Sequence, residues 1–454
     1  MKKVSLIVAL IALCGLAAST FADVQNIRLS GDIRVRGYFF DKADIFGVQQ
    51  TGNDTQLIAQ RTRVSLEADL EDHVLVVVTL QADNIWGGAN AGQNVRLKGN
   101  TVQVSEAYVQ LRELFYSPAT LKVGRQELNY GTGLIFSSVD QVYTFDAGRL
   151  VLDYHPLTID IVGAQLKNNQ GYAISPGAGF SSAQSDLLFV NAKYEVNSVV
   201  KDVEGYFGWA SQMRAPGTPF GGTANAAAPS PILIGLRTDL APVENLTVSL
   251  EGAYEGGNSE VGAGLRDETI SAFLAQAALK YTFKGVAWTP AINASYTYAS
   301  GDSSVLVAGV PNTRHAFVPW FGMAEGYNGY VFAPALSNIQ IMNVGVSAKP
   351  CANTTLALQG YYYLKANKNG GVSSDANSDL GGFNTTGIAT AANDSRDVGA
   401  ELDAIVGYDY SKDVRCQLVY GAFLPQNAYQ QPGNGAGAIS RVVSEVRGEI
   451  NVKF

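Results

Sequence analysis

The stretch IRLSGDIRVRGYFF, residues 27–40, decides the fold. Read every second residue and two sets separate. Ile27, Leu29, Ile33, Val35 and Phe39 share one face; Arg28, Ser30, Asp32, Arg34, Arg36 and Tyr38 share the other. A period of two is the period of a β-strand. Such a strand needs an apolar medium on one side and water or ion pairs on the other. QRTRVSLEADL, residues 60–70, repeats the pattern. There Val64, Leu66, Ala68 and Leu70 oppose Arg61, Arg63, Ser65, Glu67 and Asp69. The final EVRGEINVKF, residues 445–454, alternates to its last residue, the aromatic Phe454.

Between such segments the breaks alternate in length. Tight breaks fall at Glu71-Asp72-His73, Ser117-Pro118-Ala119, His155-Pro156, 197–201, 242–245, 284–288, 349–354 and 411–413. Long, Gly- and Asn-rich breaks fall between them, the longest at 300–338 and 366–396. Alternation of tight and long breaks makes every strand antiparallel to its neighbours and gathers the long loops at one end. About 18 strands are counted. Tandem sandwiches would bury the apolar faces in separate units of about 100 residues each, but no linker or composition shift divides the chain. The pattern predicts an all-β fold, a transmembrane antiparallel β-barrel with short periplasmic turns and long extracellular loops. In it the last strand pairs with the first, so no edge is left open.

Composition agrees. Charged residues are 16 %, below the quarter common in soluble domains. The mean hydropathy is +0.04, too low for a bundle of apolar helices. Met1-Lys2-Lys3, an apolar run from Val4 to Leu16, and small residues Thr20 and Ala22 read as an export leader cleaved before Asp23. The run is too short for a spanning helix of roughly 20 residues. The domain reading is a signal peptide at 1–22 and one outer-membrane barrel at 23–454. Without Lys2 and Lys3, 30 basic residues face 40 acidic ones, a net charge of −10. That excludes nucleic acid as a partner. Cys351 and Cys416 are the cysteines left beyond the leader, too few for a disulfide scaffold, and their pairing stays open.

The stretch EAYVQLRELFYSPATLKVGRQELNYGTGLIF, residues 106–136, resembles the alginate export family of outer-membrane barrels. GRQELNYG (124–131) followed by TFDAGRL (144–150) carries the resemblance most specifically. TYASGD (297–302), the Pro- and aromatic-rich 319–338, SAKP (347–350) and VGAELDAIVGY (398–408) follow in the family's order. The resemblance implies an 18-stranded monomeric barrel and passage of a polyuronate through an arginine-rich lumen. Three positions depart from it. Gly133 and Tyr143 stand where the family has arginine, and a family histidine is replaced near Glu325. A chain ending in Phe also resembles the signal read by the outer-membrane assembly machinery.

Arginine is charged at every relevant pH and grips carboxylates with a planar fork. Alternation turns Arg28, Arg34, Arg36, Arg61 and Arg63 to the polar side of two neighbouring strands, and Arg112, Arg149 and Arg447 follow on others. Arg125 of the GRQ motif joins the candidates only if a bulge turns its strand. Lys193 and Lys280 are weaker candidates. The same alternation turns Asp32, Glu67, Asp69, Asp83, Glu106, Asp153, Glu401, Asp403 and Glu449 inward, so the arginines either attract anions or brace the wall against acids. Tyr361-Tyr362-Tyr363 places rings on both faces. The three histidines, His73, His155 and His315, have no metal spacing, and no nucleophile elbow or HExxH is present. The prediction is a channel, not an enzyme, with no cofactor. It passes hydrophilic or anionic small solutes or saccharides by diffusion, is surrounded by outer-membrane lipid, and is monomeric. A general porin, or a plugged barrel that binds through its loops, are the alternatives. Loop 300–338 or 366–396 is expected to fold inward and narrow the lumen.

Overall fold

The first two strands meet in the register their sequence calls for: Asp32 lies opposite Arg63, Arg34 opposite Arg61 and Arg28 opposite Glu67. The structure is a computed structural model. It describes residues 26–41, 54–71, 73–86, 102–137, 143–167, 185–211, 229–259, 268–302, 313–317, 320–322, 327–368, 372, 395–429 and 442–454. The leader segment lies outside the described residues.

The strands are β1 (Asn26–Asp41), β2 (Asp54–Glu71), β3 (Val74–Ile85), β4 (Val102–Leu111), β5 (Ala119–Gln126), β6 (Phe145–Tyr154), β7 (Leu157–Lys167), β8 (Ser185–Glu195), β9 (Val200–Ala210) and β10 (Pro229–Leu240). There follow β11 (Leu246–Ser259), β12 (Glu268–Ile270), β13 (Ala272–Thr282), β14 (Ala291–Ala299), β15 (Thr313–Arg314), β16 (Ile339–Cys351), β17 (Thr354–Lys365), β18 (Asp397–Asp409), β19 (Val414–Pro425) and β20 (Val443–Lys453). β12 and β15 are short and pair with each other in parallel beside the wall. The other eighteen form the wall, each antiparallel to the next, with β11 paired to β13 and β14 to β16.

β20 pairs with β1 from Asp32 opposite Lys453 to Asp41 opposite Ser444, which closes the cylinder. Phe454 continues the seam: its N–H donates to the Gly31 carbonyl at 3.0 Å, and its carbonyl accepts the Gly31 N–H at 2.9 Å. Closure is what allows strands in hydrocarbon, because every backbone donor of the wall then finds an acceptor.

Alternation and exposure are inverted relative to a water-soluble protein. Val344, Leu29 and Leu236 are 66 %, 66 % and 60 % exposed on the outside, while Arg34 and Arg447 are 3 % and 2 % exposed inside. The outer face is the lipid face. Aromatics ring both of its ends. Tyr154, Tyr194, Trp288, Tyr410 and Phe454 lie at the tight-turn end; Phe39, Trp86, Phe273 and Tyr362 lie toward the long loops. Their amphipathic rings suit the headgroup layer. Cys351 and Cys416 are both free thiols.

Candidate functional site

The buried apolar core of this barrel lies inside the lumen. It is built by two segments that leave the wall at the long-loop end and turn inward. One runs through residues 127–137, between β5 and β6; the other includes the described parts of 313–338, between β14 and β16. Leu128, Leu134, Ile135 and Phe136 of the first meet Phe317, Trp320, Phe321 and Phe332 of the second. Phe136 is the centre, 4.7 Å from Phe189, 5.5 Å from Phe321 and 6.1 Å from Trp320 between ring centroids. The segments also join by backbone, with Ser137 N–H donating to the Phe321 carbonyl at 2.9 Å. Gly208 on β9 leaves room for this. A Cβ there would stand 2.9 Å from the Trp320 ring.

Polar wall side chains fasten both segments. Tyr130 donates to Asp160 on β7 at 2.8 Å, and Thr132 donates its hydroxyl to Glu251 on β11 at 2.6 Å. The Trp320 indole N–H donates to Glu255 at 2.6 Å, and Tyr327 donates to Gln276 at 3.2 Å. Glu401 on β18 accepts the backbone N–H groups of Tyr330, Val331 and Phe332 at 2.7, 2.8 and 2.9 Å. Burial pushes the Tyr130 and Tyr327 phenols up, so both remain donors.

This packing is one-sided. The apolar cluster draws on β6 to β14 and β16 to β20, and among the described residues it includes none of β1 to β5. Beside it, on β20, β1 and β2, stand the arginines, with the small cluster of Tyr38, Phe40 and Ala59 among them. Arg34 and Arg36 of β1, Arg61 and Arg63 of β2, and Arg447 of β20 stand on three adjoining strands with their side chains inward. Arg447 lies between two rings, 4.8 Å from Tyr38 and 4.9 Å from Tyr330. Tyr330 is thus the point where the inward segment meets the arginine wall. Acids stand among the bases. Arg63 pairs with Asp32 at 2.6 Å, Arg447 with Glu445 at 2.7 Å, Arg28 with Glu67 at 2.9 Å, and Arg36 with Glu449.

The remaining candidates divide. Arg149 faces inward, bonded to Asp160 at 2.5 Å and 5.5 Å from the Tyr130 ring, so it braces the first segment. Lys193 pairs with Asp202 at 3.1 Å. Two candidates are not in the lumen. Arg112 lies past the end of β4 in the turn to β5 and is exposed at the tight-turn rim. Arg125 lies on the outer face. Lys122 and Gln126 hold the inward positions of β5, the register runs unbroken from Arg125 opposite Ala107 to Leu121 opposite Leu111, and no bulge reverses it. There it forks the Asp146 carboxylate at 2.8 and 2.9 Å, joining the GRQ motif to the FDAG motif. Tyr361 and Tyr363 are stacked inward while Tyr362 faces out.

Arg237 is not among the candidates read from the sequence, although alternation opposite Ile232, Ile234 and Leu236 turns it inward, and alternation does not give the inward course of 127–137. Arg237 on β10 bonds Glu204 at 3.0 Å and Asp239 at 2.5 Å. The signal for the segment is the run Leu134-Ile135-Phe136, three apolar residues in a row within a loop, which demand burial. For loop 366–396, Ala366 and Val372 are buried and most of the loop lies outside the described residues, as does Glu325. Tyr143, where the resemblance expects arginine, packs edge-on against Phe321 at 5.4 Å.

The alginate export family model matches residues 25–441. This chain belongs to the alginate export family. A search of curated proteins gave no match. Among solved structures it is similar to Pseudomonas aeruginosa OpdK with vanillate, at 11 % identity over 94 % of this chain and 98 % of that one, TM-score 0.55. A BenF-like porin from Pseudomonas fluorescens Pf-5 is 11 % identical over 95 % and 99 %, also at 0.55. Pseudomonas aeruginosa OprD is 12 % identical over 95 % and 97 %, at 0.54. At such identity these likenesses carry the barrel architecture alone. With the family, they make the chain an outer-membrane channel for solutes, not an enzyme.

Proposed function

We propose that this alginate export family barrel passes small, hydrophilic, carboxylate-bearing solutes, of the uronate or saccharide-acid type, by diffusion along the wall of β20, β1 and β2. One observation supports the proposal: Arg34, Arg36, Arg61, Arg63 and Arg447 turn inward on three contiguous strands, two of which, β1 and β2, contribute no described residue to the apolar plug. On this face Arg28 and Lys453 add to them, and these bases outnumber Asp32, Glu67, Asp69, Glu445 and Glu449. Fixed guanidinium groups replace part of the hydration of a passing carboxylate, and the gradient supplies the drive. The narrowing by two inward segments favours small solutes over long polymers. A relative of this fold was solved with vanillate, itself a carboxylate. A general porin is the second reading, favoured by the acids beside these arginines, such as Asp32 and Glu449. We further propose that residues 1–22 direct export, that the barrel is a monomer, and that Phe454 presents the terminal strand to the assembly machinery.

Liposome swelling separates the two readings. Vesicles carrying the refolded barrel should swell faster in glucuronate than in glucose, solutes of similar size. Equal rates would favour the general porin.

A further inference from the structure

We infer that Glu401 is the latch that holds the pore narrow, acting through the backbone of residues 330–332. Glu401 is 2 % exposed and sits on β18, a strand of the rigid wall. Its carboxylate collects three consecutive backbone N–H groups, and the Tyr363 hydroxyl donates to it at 3.2 Å. Consecutive N–H groups around one anion form a concave, strongly bonded site. Here the usual roles are exchanged: the loop supplies the nest and the wall supplies the anion. What the latch positions is specific. Tyr330, at the first of the three bonds, is the residue whose ring covers Arg447. The next residues fill the lumen, with Phe332 stacked on Phe423 at 4.8 Å.

The backbone is shaped for this contact. Gly329 has φ +111, a conformation L side chains rarely adopt. A Cβ there would lie 2.7 Å from Glu401 Oε1 and 2.4 Å from the Tyr363 hydroxyl. A methyl at 329 would therefore push the segment off its anchor without removing any polar group. The inference needs only a conducting barrel and stands apart from the proposed anion preference.

The test is single-channel conductance in planar bilayers. Glu401→Ala and Gly329→Ala should each raise conductance at least twofold, with Glu401→Gln between them and the parent because its amide keeps one acceptor oxygen. The folded band on an unheated gel should be unchanged, since every backbone bond of the wall is kept and only side-chain bonds of Glu401, such as that from Tyr363, are lost. Rescue keeps structure and latch apart. A Cβ at Gly421 on β19 would lie 2.5 Å from Val331 Cγ2, so Val331→Cys with Gly421→Cys brings two thiols within bonding reach. In a Glu401→Ala chain with Cys351 and Cys416 changed to Ser, oxidation of that pair should return conductance to the parent value and reduction should raise it again. Parent-level conductance in both Glu401→Ala and Gly329→Ala, from folded barrels, would overturn the inference, as would a high conductance that the oxidised pair leaves unchanged.

Discussion

Two stretches of the lumen wall are made from the same alternating strands and differ in what they carry. From β6 round to β20 the inward positions include Phe145, Phe189, Leu233, Leu274, Ile341, Tyr363 and Phe423, and an apolar plug rests on them. From β1 to β2, and on β20 at Arg447, the inward positions carry arginines among acids, and no described residue of β1 to β5 joins the plug. One wall seats the obstruction; in the proposed function the other lines the passage. Strand period sets which face a residue takes; side-chain chemistry along that face sets which stretch it belongs to.

The contrast can be broken at the plug with the largest effect. Phe136→Ala removes a fully buried ring at the centre of the cluster, a loss of about 3–5 kcal/mol of packing. Conductance should rise at least twofold while the barrel stays folded. An unchanged conductance would mean that the plug does not limit flow. The lipid face gives the next effect. Val344→Arg places a charge outward in the middle of β16 and should lower the unfolding free energy in vesicles by about 2–4 kcal/mol. Asn343→Arg, one residue away and inward, should change it far less. Equal costs would contradict the assignment of faces. Releasing one anchor is milder. Glu251→Ala removes a charged acceptor from Thr132 and Tyr206, about 1.5–3 kcal/mol, and should add open-channel noise without unfolding the wall. Smallest is Arg125→Ala. Its pair with Asp146 is exposed and on the outer face, so stability should change by at most about 1 kcal/mol and ion preference not at all. A shift in ion preference would return Arg125 to the lumen.

The barrel was legible because two periods are hard to confuse. Residues 27–40 and 60–70 fix both faces of β1 and β2, and 445–454 fixes the seam. The tight turn named by His155-Pro156 falls between β6 and β7, and that at 197–201 covers the turn after β8 and the first two residues of β9. The site was legible only in part. Parity places Arg34, Arg36, Arg61, Arg63 and Arg447 inward, yet it is a local rule and says nothing about what stands across the lumen. It could not show that Glu401 and Glu251 are bound to loop segments far from them in sequence. Nor could it show that the GRQ motif ends a strand early and then dives inward, although Leu134-Ile135-Phe136 hinted at burial. Arg125 was uncertain for a local reason. Parity on its strand turns it outward unless a bulge intervenes, and the unbroken register keeps it there.

The central proposal is that the arginine wall of β20, β1 and β2 governs passage. Its most direct test is the reversal potential of the refolded barrel in a planar bilayer under a tenfold salt gradient. The account predicts a clear anion preference that falls when Arg34, Arg36, Arg61 and Arg63 are together changed to Ala, with the folded band retained. A conducting barrel with no ion preference, or one whose preference survives the loss of all four, would contradict it.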